Sequence, residues 1–405
     1  MTARQAEAPE QLRILAVLVI SQVLSGAGLA AGITVGALLA EDLLGSAGPA
    51  GLPTALYTAG AALGAVAIGR LSQRLGRRPG LALGHATAAA GSLGVVAAAS
   101  ARSAVLLFTA LFVYGAGTAT NLLARYAGAD LAAPARRGRA VSTILLATTF
   151  GAVVGPNLAG VTGEVAHAWG LHRLTGPFLL AAAAYAAAGI VLAVLLRPDP
   201  LLRARELTPR PAGEQATARI LTPGVVTGTA VMITGQLVMV AVMAMTPVHM
   251  TGHGHGTQAA GLVIAVHVAA MFLPSPLSGL LVDRVGSLRV AAASGVVLAA
   301  AGLLAALAPP DRVPVLAVAL ALLGLGWNLS LVSGTAIVTD AVPLTARAFV
   351  QGLADVGMAI AGSTGGLLSG LVVATAGYPA LAAGGGVLAL ATLPIAAAAA
   401  QPRRR

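Results

Sequence analysis

The chain has 405 residues, of which 57% are apolar and only 9% are charged, whereas an ordinary soluble domain carries about 25% charged residues. This composition excludes a soluble enzyme, and it excludes a disordered chain, which needs low hydrophobicity and high charge. The absence of cysteine excludes disulfides, thiol catalysis and cysteine-bound metals. All 24 basic residues are arginine and lie in short gaps between apolar runs, so the net charge of +11 does not indicate a nucleic-acid partner.

Long runs without charged residues predict twelve membrane-spanning helices, which we call spans 1 to 12. A helix that crosses a bilayer needs roughly 20 apolar residues. Spans 1 to 6 correspond to the runs 14–40, 43–69, 79–101, 103–124, 140–163 and 174–196. Spans 7 and 8 share 220–282, spans 9 and 10 are 290–310 and 313–339, and spans 11 and 12 share 348–402. The first run is too long for the apolar core of a signal peptide, so we expect it to remain as span 1.

A polar break near residue 200 divides the spans into two groups of six. We predict an amino-terminal bundle over 1–197, a cytoplasmic linker over 198–219 and a carboxy-terminal bundle over 220–405. Four prolines in the linker predict an extended conformation. With both termini inside, 21 arginines lie on the cytoplasmic side and only Arg102, Arg173 and Arg312 lie outside, which is the asymmetry expected of a membrane protein. We therefore expect a multi-pass protein of the inner or plasma membrane.

The two halves repeat each other at an offset of 210 residues. The segment 69–76 overlays 279–286, and the rare acid Asp130 falls on Asp340. Two parallel six-helix repeats joined by a polar linker are typical of a secondary transporter whose substrate site lies near the bilayer midplane.

Two motifs resemble those of the major facilitator superfamily, and the resemblance covers nearly the whole chain. The loop after span 2 looks like the signature G-x-x-x-D-R-x-G-R-R and reads Gly69-x-x-x-Gln73-Arg74-x-Gly76-Arg77-Arg78. Span 5 is similar to the G-x-x-x-G-P-x-x-G-G pattern of proton-coupled exporters and reads Gly151-x-x-x-Gly155-Pro156-x-x-Ala159-Gly160. The resemblance, nearest to the drug/proton antiporter type, implies an all-α membrane protein with twelve helices in two pseudosymmetric bundles.

The resemblance also implies a latch of charged residues at the cytoplasmic ends of the spans. It pairs Arg77 with Asp130 and places residue 73 near the start of span 11, where the helix dipole favours an acid. Because Gln73 is neutral, we expect a weaker latch on this side and an intact counterpart at Asp283, facing span 5. The candidate latch and coupling residues are Arg70, Gln73, Arg74, Arg77, Arg125, Asp130, His267, Asp283, Arg284, Asp340 and Asp355. The alternative is that these charges only fix the topology.

Two members of this set, Asp355 and His267, are the candidates for carrying a charge or proton within the membrane. We expect Asp355, near the cytoplasmic end of span 11, to pair with Arg70 or Arg74 or to carry the coupling proton. His267, about three turns into span 8, is either a proton-exchanging group or a neutral histidine bonded to a neighbour. Prolines after it predict a bend in span 8.

Small residues in span 5 are the main reason to prefer export over uptake. Gly151, Gly155 and Gly160 allow a second helix to approach closely, and Pro156 bends the helix between them. Ordinary close packing is the alternative, because the chain contains 51 glycines.

The resemblance implies a substrate cavity lined by spans 1, 4, 7 and 10. Polar side chains are costly in lipid, so those in these spans are expected to face protein, water or substrate. In span 4 they recur on one helical face. The candidate cavity residues are Gln22, Ser25, Tyr114, Thr118, Asn121, Gln236, Met239, Trp327 and Asn328. For Gln22, Asn121 and Gln236, interhelical hydrogen bonding is an equal alternative.

We predict a monomeric secondary transporter, not an enzyme, that exports a small apolar or weakly cationic molecule in exchange for protons by alternating access. We expect the lipid bilayer as its surroundings and no cofactor, metal or nucleic acid. One alternative is uptake of a sugar-like nutrient, against which the 3% aromatic content argues. Another is a metal-responsive sensor that uses His249, His253 and His255 in the outer loop between spans 7 and 8.

Overall fold

A computed structural model describes residues 3–30, 35, 39–40, 42, 51–208, 221–309 and 312–400, without the side chains of 3–8, 29–30, 51, 54, 152–157 and 257. This described part contains helices and their connections and no strand. Its first six helices correspond to spans 1 to 6. They are α1 (Ala3–Ala30), α2 (Gly51–Leu75), α3 (Arg77–Ser100), α4 (Ala104–Ala129), α5 (Arg137–Ala168) and α6 (Gly176–Leu195).

Eight further helices follow in the described chain. They are α7 (Pro200–Leu207), α8 (Pro223–Gly252), α9 (Thr257–Phe272), α10 (Ser275–Val285), α11 (Ser287–Leu307), α12 (Val313–Ala341), α13 (Arg347–Ala389) and α14 (Thr392–Ala400). Span 7 is α8, and span 8 is α9 with α10, broken as expected where the prolines lie. Spans 9 and 10 are α11 and α12. The helix α13 contains span 11 and the beginning of span 12. The two spans are divided at Gly377, where φ is 82° and the backbone is not helical.

Ten helical segments of the described chain are long and apolar enough to cross a bilayer. The helix α5 and the division of the last segment at Gly377 bring this number to the predicted twelve. The sequence-based prediction of an all-α membrane protein with twelve helices is therefore confirmed.

Local chemistry sets several helix boundaries. The hydroxyl of Ser103 accepts the Leu106 N–H at 3.3 Å at the start of α4, which satisfies one of the free donors of that helix end. Gly76 and Gly286, which the 210-residue offset relates, each join two helices at a φ of 100°. Only glycine adopts this conformation without strain, so the repeat preserves both turns.

Close helix packing in the first repeat depends on small residues. A Cβ atom built on Gly64 of α2 would overlap the backbone carbonyl oxygen of Ala116 in α4. The two backbones therefore touch directly, as expected where helices associate through small side chains rather than through a hydrophobic effect.

The expected extended linker is wrong for Pro200–Leu207, which form α7. The Asp199 carboxylate accepts the N–H groups of Leu201 and Leu202 at 3.0 and 3.1 Å, and Pro200 has its φ already fixed for a first helical turn. Leu201 and Ala204 are buried, so an apolar face stabilises this short helix by packing. Residues 209–220 lie outside the described part.

The chain forms two compact units. The first consists of Met1–Ala132, Thr143–Ala218 and Pro343–Ala359, and the second of Ala133–Ser142, Arg219–Val342 and Ile360–Arg405. The core of the first unit contains Ile14, Leu18, Leu81, Leu107, Leu111, Tyr114, Phe178 and Tyr185. A core cluster of the second contains Val231, Ala291 and Ile337. The predicted boundaries at 197 and 219 stay a prediction.

Candidate functional site

A polar stripe on the first turns of α13 contacts charged residues at the start of α3 and the end of α4. All of these segments belong to the first unit. Arg347, Gln351 and Asp355 are spaced by four residues and share one helix face. The guanidinium of Arg77 bonds Asp130, with Nε 2.7 Å from Oδ2, and also donates to Gln351 Oε1. Arg347 Nη1 lies 3.9 Å from Asp130 Oδ1. All of these side chains are buried, so the pair that the family resemblance implies belongs to a larger buried cluster.

The third residue of the stripe, Asp355, pairs with Arg125 of α4. Arg125 Nη2 and Nη1 lie 2.6 and 3.2 Å from the two carboxylate oxygens. This is the bidentate geometry that a guanidinium favours. Tyr126 donates to the same carboxylate at 3.3 Å. The side chains of Arg125 and Asp355 are 0% and 5% exposed. A buried ion pair inside membrane spans is a functional-site hypothesis by default.

The prediction that Asp355 pairs with Arg70 or Arg74 is wrong. Both arginines are exposed, and the Arg70 guanidinium lies 5.1 Å from the ring centre of Phe349. A buried carboxylate needs a buried counter-ion, whereas arginines at the exposed end of α2 are solvated. The available signal was that Arg125 directly follows the charge-free run 103–124 and that Asp355 is the only charged residue in 348–402.

Gln73 makes a contact that requires a neutral amide. Its Oε1 accepts the Ala348 N–H at 2.8 Å, and its Nε2 donates to the carbonyl oxygens of Leu344 and Thr345 at 3.2 and 2.6 Å. Arg205 of α7 donates to the carbonyl oxygens of Gln73 and Leu344 at 2.9 and 3.3 Å. An aspartate at this position could accept one of these bonds but could donate none.

The second unit contains the counterpart of this contact. Asp283 accepts the N–H groups of Gly138 and Arg139 at 2.8 and 3.2 Å, and it bonds Arg139 Nε at 2.9 Å. These N–H groups open α5, where the helix dipole favours a negative charge. Arg137 forms an ion pair with Asp340. The offset of 210 residues relates this site to Gln73, so Asp283 faces span 5 as expected.

The remaining arginines of the predicted latch take no part in these clusters. Arg70, Arg74 and Arg284 are exposed and form no ion pair within 4.0 Å among the described residues. Their position still agrees with a role in fixing topology.

Buried neutral groups from four helices form a network in the first unit. Gln22 donates to the Asn121 carbonyl oxygen and to Thr148 Oγ1, both at 2.9 Å. Ser25 donates to Asn121 Oδ1 at 2.6 Å, and Asn121 Nδ2 donates to Tyr185 Oη at 3.1 Å. None of the five side chains is exposed. The network thus brings together three predicted cavity residues and engages them in interhelical hydrogen bonds.

Tyrosines surround this network. Tyr114 donates to the Gly28 carbonyl oxygen at 2.5 Å, and Thr118 donates to Tyr57 Oη at 3.0 Å. The ring of Tyr114 lies 5.9 Å from that of Tyr57 and 6.0 Å from that of Tyr185. The predicted residues of span 4 therefore share a neutral, aromatic environment.

In the second unit, Gln236 and Trp327 contact each other. Trp327 Nε1 donates to Gln236 Oε1 at 2.7 Å, and its ring meets Phe272 edge-on at 5.7 Å. Met239 is buried on the same helix as Gln236. Gln236, Met239 and Trp327 are predicted cavity residues, and Phe272 is an aromatic partner that was not predicted.

Asn328, a candidate cavity residue, contacts span 8. Its Nδ2 donates to the Met271 carbonyl oxygen and to Ser275 Oγ, both at 2.7 Å. These two groups flank the break between α9 and α10, where the helical hydrogen-bond pattern is interrupted. Asn328 therefore stabilises the bend of span 8.

Two histidines are buried within the spans. His267 Nδ1 donates to the Leu320 carbonyl oxygen at 2.8 Å, and among the described residues its Nε2 has no partner. His85 Nε2 lies 3.4 Å from Ser21 Oγ. The bond of His267 to a neighbour agrees with the alternative of a neutral structural histidine, and a role in proton exchange stays a prediction.

The span 5 motif is described only in part. Gly151 allows contact between α5 and α1, because an added Cβ would overlap the Val23 carbonyl oxygen. Gly160 has no such neighbour within 4 Å. The packing of residues 152–157, and thus of Gly155 and Pro156, lies outside the described part.

The outer histidine His249 stacks on Tyr378 and lies beside His253. The His249 ring lies 4.4 Å from those of Tyr378 and His253. Within the described chain, no group of three histidine or acidic side chains is arranged to hold a metal ion.

Sequence analysis missed several site residues. They are Tyr57, Tyr126, Thr148, Tyr185 and Gln351. Each is a polar residue within a largely apolar helix, and Gln351 lies one turn before Asp355, so the same criterion that selected Gln22 could have found them.

Comparisons with known proteins agree with this architecture. The sequence model of the Major Facilitator Superfamily matches residues 18–274 and 254–405. The MFS-type transporter YdeG of Bacillus subtilis is 50% identical over 95% of this chain and 91% of its own. The riboflavin transporter RfnT of Brucella anthropi is 32% identical over 85% of this chain and 84% of its own. The human organic anion transporter MFSD10 has a similar fold, with a TM-score of 0.75 and 17% identity over 95% of this chain and 99% of its own.

Proposed function

The chain belongs to the major facilitator superfamily, and we propose that it is a proton-coupled exporter of small, largely apolar molecules that are neutral or weakly cationic. It is a multi-pass membrane transporter, and its relatives are transporters rather than enzymes. The observation that carries the coupling proposal is the buried ion pair between Arg125 and Asp355.

Asp355 is the proposed proton carrier. While it is ionised, its two bonds to Arg125 hold the first turns of α13 on α4. Protonation removes the negative charge and leaves a buried guanidinium without its counter-ion. Losing one partner of a buried pair costs about 3–5 kcal/mol, which is enough to shift a two-state equilibrium more than a hundredfold. Proton binding thereby favours release of α13 from α4 during alternating access.

The neutral network around Asn121 supports a substrate without negative charge. Gln22, Ser25 and Tyr185 offer hydrogen bonds and aromatic surface but no cation. An anionic substrate would need a buried arginine, and Arg125 is already bound to Asp355. A substrate of this kind would exchange bonds with the network rather than neutralise a charge.

The direction of transport rests on the span 5 pattern. Close contact between α5 and α1 at Gly151 agrees with the packing role proposed for that pattern. Export into the medium, across the plasma membrane and with both termini inside, follows from this resemblance and from the arginine distribution.

Uptake of a neutral aromatic compound related to riboflavin is a second candidate. It is favoured by the 32% identity to a riboflavin transporter and by the tyrosines around Asn121. Aromatic rings of this kind suit a flat, uncharged ligand.

Proteoliposomes with an imposed pH gradient test both candidates. The fluorescent probes are ethidium and riboflavin, and the variants are Asp355→Asn and, as the control, Glu206→Gln at an exposed ion pair of α7. We expect the gradient to accelerate ethidium extrusion by the wild type and by Glu206→Gln, while Asp355→Asn retains only downhill flux. Equal wild-type rates with and without the gradient would refute coupling. Riboflavin entry without ethidium extrusion would favour the second candidate.

A further inference from the structure

Two of the three arginines predicted on the outer side line the same cleft. The cleft has a volume of about 690 Å³ and lies in the first unit, at the ends of α3 and α5 and beside the loop before α6. Its lining includes Arg102, His167, His172 and Arg173. Cationic side chains from two separate loops therefore meet at one place.

This clustering needs a local reason, because the rest of the chain keeps arginine away from that side. With the predicted topology, 21 of 24 arginines lie inside. Arg102 also has a φ of 49°, which is unusual for a residue other than glycine. Such strained positions are enriched at binding sites, since the surrounding structure must hold them.

The acidic residues described nearby contact Arg173 and His172 and not Arg102. Arg173 Nη1 lies 2.5 Å from Glu164 Oε1, and His172 Nε2 lies 3.5 Å from Asp42 Oδ2. Among the described residues, no acid lies within 4.0 Å of Arg102. The cleft thus carries a guanidinium that an anion can bind.

The position of the cleft indicates which kind of anion it would bind. It lies where two apolar spans end, which is the level of lipid headgroups. Trp169, next to the cleft, and Val105, at the start of α4, are 68% and 77% exposed. Exposed tryptophan is typical of the membrane–water interface. A ligand held here would place its acyl chains against lipid-facing apolar surface and its charged group among the arginines.

We propose that this cleft binds the phosphate group of an anionic phospholipid in the leaflet on that side. Arg102 and Arg173 donate to the phosphate oxygens, a geometry for which guanidinium groups are well suited. The lipid fixes the loop after α3 against the loop before α6. This proposal is independent of the transported substrate.

Trp169 provides a reporter for the test. The chain has two tryptophans, so Trp327→Phe leaves Trp169 as the single tryptophan. The full-length variant in detergent is titrated with short-chain phosphatidylglycerol, short-chain phosphatidylcholine and inorganic phosphate. We expect a saturable fluorescence change with phosphatidylglycerol at a concentration at least tenfold lower than with the other two probes, and weaker binding at high salt.

Arginine variants show whether the cleft is responsible. Arg102→Gln and Arg173→Gln in the same background should each raise the half-saturating concentration at least fivefold, whereas Arg102→Lys should have a smaller effect. Arg312→Gln is the matched control, because this third outer arginine does not line the cleft. Circular dichroism verifies that each variant is folded. Equal affinity for both lipids, inorganic phosphate binding as tightly, or an equal loss with Arg312→Gln would overturn the proposal.

Discussion

Replacing the residues of the buried pair one at a time and together tests how strongly α4 and α13 are joined. The single variants are Arg125→Met and Asp355→Leu, and the double variant carries both. Each single change leaves the opposite charge buried without its counter-ion, whereas the double change leaves no buried charge at this position. The comparison therefore separates the effect of an unpaired charge from that of lost packing.

The magnitude follows from the burial of the pair. With exposures of 0% and 5%, solvent screens little of the interaction, so each single variant should lose about 3–5 kcal/mol of unfolding free energy. Apolar replacement of a whole buried pair is often neutral, so the double variant should lie within about 1.5 kcal/mol of the wild type. The coupling energy is then at least about 4.5 kcal/mol.

The assay is reversible unfolding in mixed micelles as the fraction of denaturing detergent rises. The matched control is the exposed pair of Arg173 and Glu164, 58% and 64% exposed, for which a cycle with Arg173→Gln and Glu164→Gln should give about 0–1 kcal/mol. Additive losses at Arg125 and Asp355, or a loss below about 1 kcal/mol for Asp355→Leu, would show that the pair is not the buried contact described above.

Three further substitutions have expected outcomes. Gln73→Glu replaces an amide that donates two hydrogen bonds with a carboxylate facing backbone carbonyls, so it should lower the unfolding midpoint and cost about 1–3 kcal/mol; an unchanged midpoint would contradict this. Gly64→Val forces a side chain against the Ala116 carbonyl and should prevent stable expression, whereas Gly64→Ala should lower the expression yield less. Equal yields of both variants would argue against direct backbone contact. Asp283→Asn should weaken the contact with the Gly138 N–H, and faster amide hydrogen exchange at the start of α5 measures this.

The sequence alone determined the twelve spans and the twofold repeat. Both properties are local or periodic, since a run of about 20 apolar residues must cross the bilayer whatever surrounds it. The contact of residue 73 with the start of α13 agrees with what the family resemblance implies, and the repeat extends that expectation to Asp283 and α5. The helix α7 could not be predicted in this way. Its stability comes from the Asp199 cap and from burial of Leu201, and neither is visible in the number of prolines.

Only the tertiary structure decided which polar groups are partners. Asp355 lies one helical turn after Gln351, but its pairing with Arg125 depends on how α13 packs against α4, at a separation of 230 residues along the chain. The same holds for Asn328, whose sequence position favours a cavity and whose contacts place it at the break in span 8. Sequence pattern identifies polar residues that cannot face lipid, whereas helix packing determines which partner compensates each of them.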